Sequence, residues 1–266
     1  MTDEKRSGKT ALVTGASAGL GKELASLFAK DGHDVILVAR SETKLKTLAG
    51  DLARAHEIKA HVVRADLGDA AGPSIVAEEV RRLGVDVDFL VNNAGFGTNG
   101  AFLDLDLARE KEMLAVNCTS LLELSHHFVR GMRDRKFGRV LNIASTAGFQ
   151  PGPFMATYYA TKAFVVSFSE ALSFELEGTG VTVTCHCPGA TATDFASTAG
   201  NDKTRLFQRS GGVADAKAVA LHAYRAMMSG DVIAVHGALN WIAWQSLRVS
   251  PRSVVRSIAA GLNRPV

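Results

Sequence analysis

A tyrosine and a lysine lie one helical turn apart near the middle of the chain. Tyr158 and Lys162 are spaced i, i+4 in a predicted helix, so they share one face. A phenol with its ordinary pKa of about 10 exchanges protons poorly at neutral pH, and a nearby ammonium favours the phenolate. Such a pair predicts general acid–base catalysis on a carbonyl or an alcohol. Without further context, this spacing is more typical of an ordinary helix face.

Polar residues near the ends of predicted strands supply that context. Ser145 follows a predicted strand, where its hydroxyl would reach into a ligand crevice and bond the reacting oxygen. The preceding strand ends in NNAG at 92–95, which would place amides and small residues beside a cofactor. Asn117 interrupts a long helical pattern in which a polar side chain is unexpected. With Tyr158 and Lys162, Ser145 and Asn117 are the candidates for catalysis.

A glycine-rich turn, TGASAGLG at 14–21, joins the first predicted strand to an amphipathic helix. Glycines let the backbone approach a pyrophosphate closely, and a helix N-terminus attracts its negative charge. The spacing is G-x-x-x-G-x-G, and the alternative interpretation is a tight turn without a ligand. The turn predicts a dinucleotide site that includes Gly15, Ser17, Gly19, Leu20 and Gly21.

The second predicted strand ends without an acidic residue. An acid at this position would accept hydrogen bonds from the adenosine ribose and favour NAD. The chain instead offers Arg40, with Ser41 and Lys44 nearby, and a guanidinium matches the geometry of a ribose 2′-phosphate. A charge-assisted bond of about 1.5–3 kcal/mol corresponds to roughly a tenfold to hundredfold preference for NADP. The alternative is a solvated arginine at the start of a helix.

Seven short apolar runs predict the strands that position these motifs. They span Ala11–Thr14, Val35–Ala39, Ala60–Arg64, Phe89–Asn92, Arg139–Ala144, Val181–Cys187 and Val232–Val235. Amphipathic segments lie between them; Ser41 is a candidate N-cap of the second, and a later apolar face runs through Phe164, Phe168, Leu172 and Leu176. This alternation predicts a single-domain α/β fold, a doubly wound, Rossmann-type parallel sheet with helices on both faces and ligands at the carboxyl ends of its strands.

Composition excludes several classes of protein. The 266 residues are 47% hydrophobic and 21% charged, which is ordinary for one globular domain and excludes disordered, collagen-like and disulfide-rich chains. The apolar runs are too short to span a bilayer, and no apolar leader is visible, so we expect a cytoplasmic protein. The three cysteines are expected to be free thiols, with no metal site. The net charge is only +3, and the sequence shows no clustered basic face of the kind that binds nucleic acid.

A C-terminal extension, residues 237–266, follows the predicted core at about 9–235. It contains Trp241, Trp244 and four arginines but no acidic residue, and Pro251 is expected to interrupt any helix. Three interpretations remain open. The extension could pack across a subunit interface, cap a substrate pocket, or make weak contact with an anionic membrane surface or a phosphate-bearing substrate.

In these motifs the chain resembles the short-chain dehydrogenase/reductase family, specifically its shorter, single-domain oxidoreductases. The resemblance extends from about Lys9 to about Val235. It is carried by TGASAGLG at 14–21, NNAG at 92–95, Asn117, Ser145, YYATK at 158–162 and PGATAT at 188–193. One departure is Ala18, where many NADP-preferring members have a basic residue. The expectation of NADP therefore depends mainly on Arg40.

The resemblance implies a role for each matching residue. Tyr158 would be the catalytic acid or base, and Lys162 would bind the nicotinamide ribose and lower the pKa of Tyr158. Ser145 would orient the substrate carbonyl, and Asn117 would position a water in a proton relay through Lys162. Beyond the glycine-rich turn and Arg40, the implied cofactor contacts are Ser41, Asp66, Leu67, Asn93, Ala94, Gly95, Tyr158, Lys162, Pro188, Gly189, Thr191 and Thr193.

The loops after the later strands are expected to form the substrate wall and a lid. The predicted substrate residues are Ser145, Phe96, Phe149, Phe154, Tyr158 and Phe195. The lid would span residues 194–212, including Leu206 and Phe207, with Gly200, Gly211 and Gly212 as hinges. Aromatic walls favour an apolar ketone or alcohol. A homodimer or homotetramer is implied by the resemblance.

We therefore expect an NADP(H)-dependent oxidoreductase that interconverts a carbonyl and an alcohol, with NAD(H) the less favoured cofactor and no metal. The alternative on the same fold is a non-catalytic NADP(H)-binding regulatory protein. The set of Asn117, Ser145, Tyr158 and Lys162 argues against it, because a sensor needs no tyrosine acid. A sugar-nucleotide epimerase is disfavoured because no second substrate domain is predicted.

Overall fold

The computed structural model describes residues 8–193, 195–200, 204 and 213–264. Its strands are β1 (Thr10–Thr14), β2 (Asp34–Ala39), β3 (Ala60–Arg64), β4 (Phe89–Asn92), β5 (Gly138–Ile143), β6 (Val181–Cys187) and β7 (Ile233–Val235). Its α-helices are α1 (Gly19–Lys30), α2 (Glu42–His56), α3 (Gly72–Leu83), α4 (Leu107–Leu114), α5 (Ser120–Asp134), α6 (Ala156–Glu175), α7 (Phe195–Ala199), α8 (Ala216–Ser229), α9 (Ala238–Ser246) and α10 (Arg252–Asn263).

The seven strands form one parallel sheet in the order β3-β2-β1-β4-β5-β6-β7. The chain first builds outward from β1 to β3 and then returns to place β4 on the other side of β1. This reversal is a topological switch point, where a crevice opens at the carboxyl ends of β1 and β4. The predicted doubly wound α/β fold is confirmed.

Helices cover both faces of the sheet because alternate residues of each strand point to opposite sides. Ala11 and Val13 of β1 belong to the same core cluster as Phe28 of α1. Leu12 between them belongs to a second cluster, together with Val76 of α3. All three β1 residues are fully buried, which explains why the strands read as continuous apolar runs.

The predicted strand boundaries differ from the observed ones by a residue at several ends. β5 ends at Ile143, one residue before its predicted end, although the amide of Ala144 still donates to the carbonyl of His186 at 2.9 Å. β7 begins at Ile233, one residue later than predicted. Such shifts reflect frayed ends of the ladder and do not move any side chain to the other face.

Two predictions about helices are confirmed only in part. Ser41 occupies the predicted N-cap position of α2, but its side chain makes no capping hydrogen bond. On the predicted apolar face of α6, Phe164 is 37% exposed, Phe168 and Leu172 are half-buried, and Leu176 is buried. Near its start the helix instead buries Val165 and Ser169, which continue the side of Lys162.

Within the part of the chain that the structure describes, no helix combines the length and the apolar character needed to cross a membrane.

Three imidazoles meet where β6 approaches α8. The Nε2 of buried His186 lies 3.0 Å from the Nδ1 of His222, and the His236 ring lies 5.2 Å from that of His222. Burial, reinforced by the charges of His222 and His236, lowers the pKa of His186 to about 3. The folded protein therefore resists binding a proton that the unfolded chain accepts below about pH 6.5.

We predict that the protein loses stability as the pH falls from about 6.5 towards 4. In this range His186 binds a proton in the unfolded chain but not in the folded protein. His186→Gln should flatten the dependence of the unfolding temperature on pH. The exposed His126→Gln should retain the wild-type slope. An unchanged slope in His186→Gln would contradict the assignment of this acid sensitivity to His186.

Candidate active site

A cleft of about 310 Å³ lies at the carboxyl ends of the strands, beside the switch point. Ser145, Tyr158 and Lys162 all line it. Ser145 lies two residues after the end of β5, whereas Tyr158 and Lys162 lie in the first turns of α6. The structure thus brings together three of the four residues predicted for catalysis from two different elements.

Tyr158 is 8% exposed and lines the cleft together with Ser145. Burial raises the pKa of Tyr158 above that of a free phenol, and the nearby Ser145 side chain offsets only part of this effect. The implied lowering of this pKa by Lys162 stays a prediction, because burial dominates the shift in the structure. Tyr158 is therefore a neutral phenol at physiological pH.

Lys162 is buried next to Tyr158 but is held by the backbone. Its Nζ donates to the carbonyl oxygen of Ile143 at 2.8 Å and lies 5.8 Å from the centre of the Tyr158 ring. Burial disfavours the ammonium and lowers the pKa of Lys162 to about 8. The same desolvation thus moves the phenol and the amine towards their neutral forms.

Asn117 lies outside the cleft lining, in a π-helical turn, Ala115–Thr119, between α4 and α5. Its side chain pairs with both backbone groups of Phe96, at 3.1 Å to the amide and 3.0 Å to the carbonyl oxygen, and donates to the Thr161 hydroxyl at 3.0 Å. Asn117 therefore ties the loop after β4 to α6. A π-turn is a frequent feature of functional sites, and the implied water relay remains a prediction.

A buried network of amides and hydroxyls supports these helices from below. The Nδ2 of Asn92 donates to Asn142 at 2.9 Å and to Ser125 of α5 at 3.1 Å. The Nδ2 of Asn142 donates to Ser169 of α6 at 2.9 Å. Sequence reasoning missed this network, although the signal was present: an asparagine ends one strand and another lies near the end of its neighbour.

The glycine-rich turn has the shape that its spacing predicts. Gly15 and Gly19 both adopt left-handed φ angles, +65° and +53°, which residues with a Cβ rarely take. Gly15, Gly19 and Leu20 line the cleft. Ser17 lies in the turn, outside the lining. Ala18 cannot cap α1 with a side chain, so the first amides of this helix depend on water or an anionic ligand.

The loop after β4 closes the turn from the opposite side. Asn93, Ala94 and Gly95 line the cleft as predicted. The Nδ2 of Asn93 donates to the carbonyl oxygen of Thr14 at 2.8 Å, and the Thr14 hydroxyl accepts from the amides of Asn93 and Ala94. A phosphate cradle with no room for a Cβ fits a dinucleotide pyrophosphate, so the residues present can hold this cofactor.

Arg40 lies at the end of β2, outside the cleft lining, among other charges. Its guanidinium is 3.4 Å from Glu112 and 3.9 Å from Asp66, and Glu112 also binds Arg109 at 2.6 Å. The Arg40 side chain is 64% exposed, so these pairs are screened by solvent. A 2′-phosphate would compete with Glu112 for Arg40. Sequence reasoning did not find Glu112, because it reaches Arg40 from a distant helix.

The remaining predicted cofactor residues divide into two groups, one outside the cleft lining and one within it. Outside the lining, Leu67 is buried and its carbonyl accepts from the Ser120 hydroxyl, while Ser41 directly precedes α2. The lining itself includes Pro188, Gly189, Thr191 and Thr193. A Cβ placed on Gly19 would lie 3.2 Å from Thr193, so this threonine closes over the glycine-rich turn.

Only some of the predicted substrate residues line the cleft. Phe96 and Phe195 do, and the Phe195 ring lies 5.2 Å from that of Tyr158. Phe149 instead packs on Trp244 of α9, with ring centres 5.1 Å apart. Phe154 turns away with a φ of +67° and lies beneath Arg264. These two phenylalanines are therefore placed against the C-terminal extension.

Residues that sequence reasoning did not select complete the wall. Met155, Tyr159 and Leu262 line the cleft beside Phe96 and Phe195. Leu262 belongs to α10, so the extension reaches the cleft of its own chain, as the pocket-capping interpretation expects. Most of the predicted lid at 194–212, including Leu206, Phe207, Gly211 and Gly212, lies outside the described residues. Gly200 directly follows α7.

A parallel sheet with a glycine-rich first turn, together with Tyr158 beside Lys162 at the switch point, defines a nucleotide-dependent oxidoreductase fold. A sequence model of the short chain dehydrogenase family matches residues 9–204. The chain is also 34% identical over 191 residues to the 3-oxoacyl-acyl-carrier-protein reductase of Aquifex aeolicus, covering 72% of this chain and 77% of that protein. The chain belongs to the short-chain dehydrogenase/reductase family.

Solved structures agree with this assignment. The short-chain dehydrogenase from Sphingobium yanoikuyae in complex with NADPH has a TM-score of 0.81 and 30% identity, over 93% of this chain and 96% of that one. A 7β-hydroxysteroid dehydrogenase has a TM-score of 0.85 and 26% identity, over 97% and 98% of the two chains. The chain spans about half the length of other curated relatives, 53% for the very-long-chain 3-oxoacyl-CoA reductase of Phaeosphaeria nodorum.

The close approach inside the glycine-rich turn gives a matched pair of substitutions. A Cβ on Gly21 would overlap the carbonyl oxygen of Gly15 and lie 2.6 Å from the Nδ2 of Asn93, whereas one on exposed Gly50 of α2 would meet nothing closer than 3.9 Å. Gly21→Ala should lower the free energy of unfolding by about 1–3 kcal/mol and weaken cofactor binding. Gly50→Ala should raise it by about 0.5–1 kcal/mol. Denaturant titration measures both, and equal effects would contradict this geometry.

Proposed function

We propose that the protein is an NADPH-dependent reductase of apolar ketones, with Tyr158 as its proton donor. The observation that carries this proposal is the buried phenol of Tyr158, which lines one cleft with Ser145 and Lys162, and this cleft begins at a phosphate cradle. A neutral phenol suits reduction, because the oxygen of the substrate gains negative charge as its carbon is reduced and then requires a proton.

Ser145, Tyr158 and Lys162 have separate roles in the proposed reaction. When bound, the reduced nicotinamide supplies the hydride. The Ser145 hydroxyl, anchored near the Pro188 carbonyl oxygen at 3.3 Å, would orient the substrate carbonyl. Tyr158 would donate its proton to the developing alkoxide. Lys162, with its pKa lowered to about 8, can carry a proton at neutral pH and would support recharging of the phenol.

The preference for apolar substrates is supported by the side chains around Tyr158. Phe96, Met155, Phe195 and Leu262 line the cleft on the substrate side, and they supply no charge to bind a polar group. Two similar proteins are named for a 3-oxoacyl and a hydroxysteroid compound.

The preference for NADPH is proposed on the charge at the end of β2. Arg40 stands where an acid would favour NAD, and its guanidinium remains 64% exposed to an incoming phosphate. The structure of the Sphingobium yanoikuyae relative contains NADPH. Glu112 and Asp66 share Arg40 and would reduce this preference without reversing it.

Removing the phenol tests the proposed chemistry. Tyr158→Phe should lower the turnover of an aryl ketone with NADPH by at least ~10²–10⁴-fold, because the developing alkoxide loses its proton donor. NADPH binding, followed by the fluorescence of the reduced nicotinamide, should persist. The matched control is Tyr224→Phe, because the Tyr224 hydroxyl bonds Asp31 and neither residue lines the cleft. This variant should keep its turnover. A Tyr158→Phe variant with most of its turnover would refute the proposed role.

Removing the guanidinium tests the proposed cofactor preference. Arg40→Ala should weaken NADPH binding by roughly tenfold to hundredfold and leave NADH binding nearly unchanged. Glu112→Gln should strengthen NADPH binding, since it frees Arg40 from a competing carboxylate. The control is Arg54→Ala, which removes another exposed arginine of α2. Parallel titrations with both cofactors measure these changes, and a wild type that prefers NADH would overturn the proposal.

A further inference from the structure

The last helix of the described chain is fastened to the mouth of the cleft by one buried amide. Asn263 ends α10 and is only 1% exposed. Its Nδ2 donates to the Tyr159 hydroxyl at 3.0 Å and to the carbonyl oxygen of Pro153 at 3.2 Å. Its backbone carbonyl accepts from the Nδ2 of Asn99 at 2.8 Å. One residue thus joins α10 to α6, to the loop before α6 and to the loop after β4.

The apolar contacts of α10 are slight by comparison. Val255 and Ala259 are buried, but Val254 and Ile258 are 49% and 60% exposed. Such a small buried face contributes little hydrophobic stabilisation. An amide buried without partners is unfavourable, so the position in which Asn263 finds Tyr159 and Pro153 is strongly preferred. The polar contacts therefore decide where α10 lies.

The partners of Asn263 are themselves rigidly held. The Tyr159 ring packs directly over Gly152, where any Cβ would overlap it, and stands at 77° to the Tyr158 ring with centres 6.1 Å apart. Phe154 keeps a left-handed φ of +67° while its carbonyl accepts from the amide of Gly100 at 2.9 Å. This strained turn presents the neighbouring Pro153 carbonyl to Asn263.

Leu262, the residue before Asn263, lines the cleft. We propose that Asn263 is a positioning residue that sets substrate specificity: by binding Tyr159 and Pro153 it holds Leu262 as the wall against which the bulky apolar substituent of a ketone packs. This inference rests on the proposed ketone reductase function. It assigns a role to a segment beyond residues 9–204, the part that matches the family.

The test compares two ketones that differ by one phenyl group, cyclohexanone and 4-phenylcyclohexanone. In the full-length protein, Asn263→Ala should raise KM for the phenyl ketone by about tenfold, the scale of losing the burial of one apolar group. It should leave kcat and the KM for cyclohexanone nearly unchanged. Leu262→Ala should produce the same selective change. Ser257→Ala, on the exposed side of the same helix, should behave as wild type.

A double-mutant cycle separates positioning from general loss of structure. Because Asn263 acts through the Tyr159 hydroxyl, Tyr159→Phe and Asn263→Ala should raise KM for the phenyl ketone less than additively when combined. Equal losses for both ketones, or fully additive effects, would show a structural role and overturn the inference.

Direct binding of 4-phenylcyclohexanone, measured by calorimetry in the presence of NADP⁺, distinguishes this inference from the proposed function. If the wild type binds the ketone and Asn263→Ala binds it more weakly, but no turnover is detected, the inference stands and the reductase proposal fails. If the wild type turns the ketone over and Asn263→Ala leaves KM unchanged, the inference fails alone. A wild type that neither binds nor reduces the ketone overturns both.

Discussion

The hydrogen bond between Asn92 and Asn142 is the interaction on which the architecture of the site depends. These side chains face each other from paired positions of β4 and β5, inside a sheet that helices cover on both faces. Polar groups there need partners, and the partners come from Ser125 of α5 and Ser169 of α6. Each helix thus meets one of the paired amides with a serine hydroxyl, although the Oδ1 of Asn92 has no hydrogen-bond partner among the described residues. The hydrogen bond between Ser169 and Asn142 thereby anchors α6, the helix that carries Tyr158 and Lys162, to β5.

Burial at this position also determines the protonation of Tyr158 and Lys162. Desolvation raises the pKa of the Tyr158 phenol and lowers that of the Lys162 ammonium, and in both cases the neutral form gains. Lys162 does not move into contact with Tyr158, because its Nζ is hydrogen-bonded to the carbonyl oxygen of Ile143. The phenol of Tyr158 therefore keeps its proton.

Features whose cause is local could be predicted from the sequence. The strands could be predicted because a doubly covered sheet demands continuous apolar runs, and the glycine-rich turn because Gly15 and Gly19 adopt left-handed φ angles. Tyr158 and Lys162 share a face through helical spacing alone. Glu112 beside Arg40, and Phe149 and Phe154 on the C-terminal extension, could not be predicted. Their places depend on which loops and helices meet in space, and the left-handed turn at Phe154 reverses the direction of its ring.

The site thus has two physical origins. The cradle, Ser145, Tyr158 and Lys162 belong to residues 9–204, where the chain matches its family, and each is fixed by sheet geometry or helical spacing. The far wall depends on α10, which follows the sheet and has only two well-buried apolar residues besides its terminal amide. The position of α10 therefore depends on the hydrogen bonds of Asn263 to Tyr159 and Pro153 and not on the packing of the sheet. The cradle and the far wall of the cleft are thus held by separate sets of contacts.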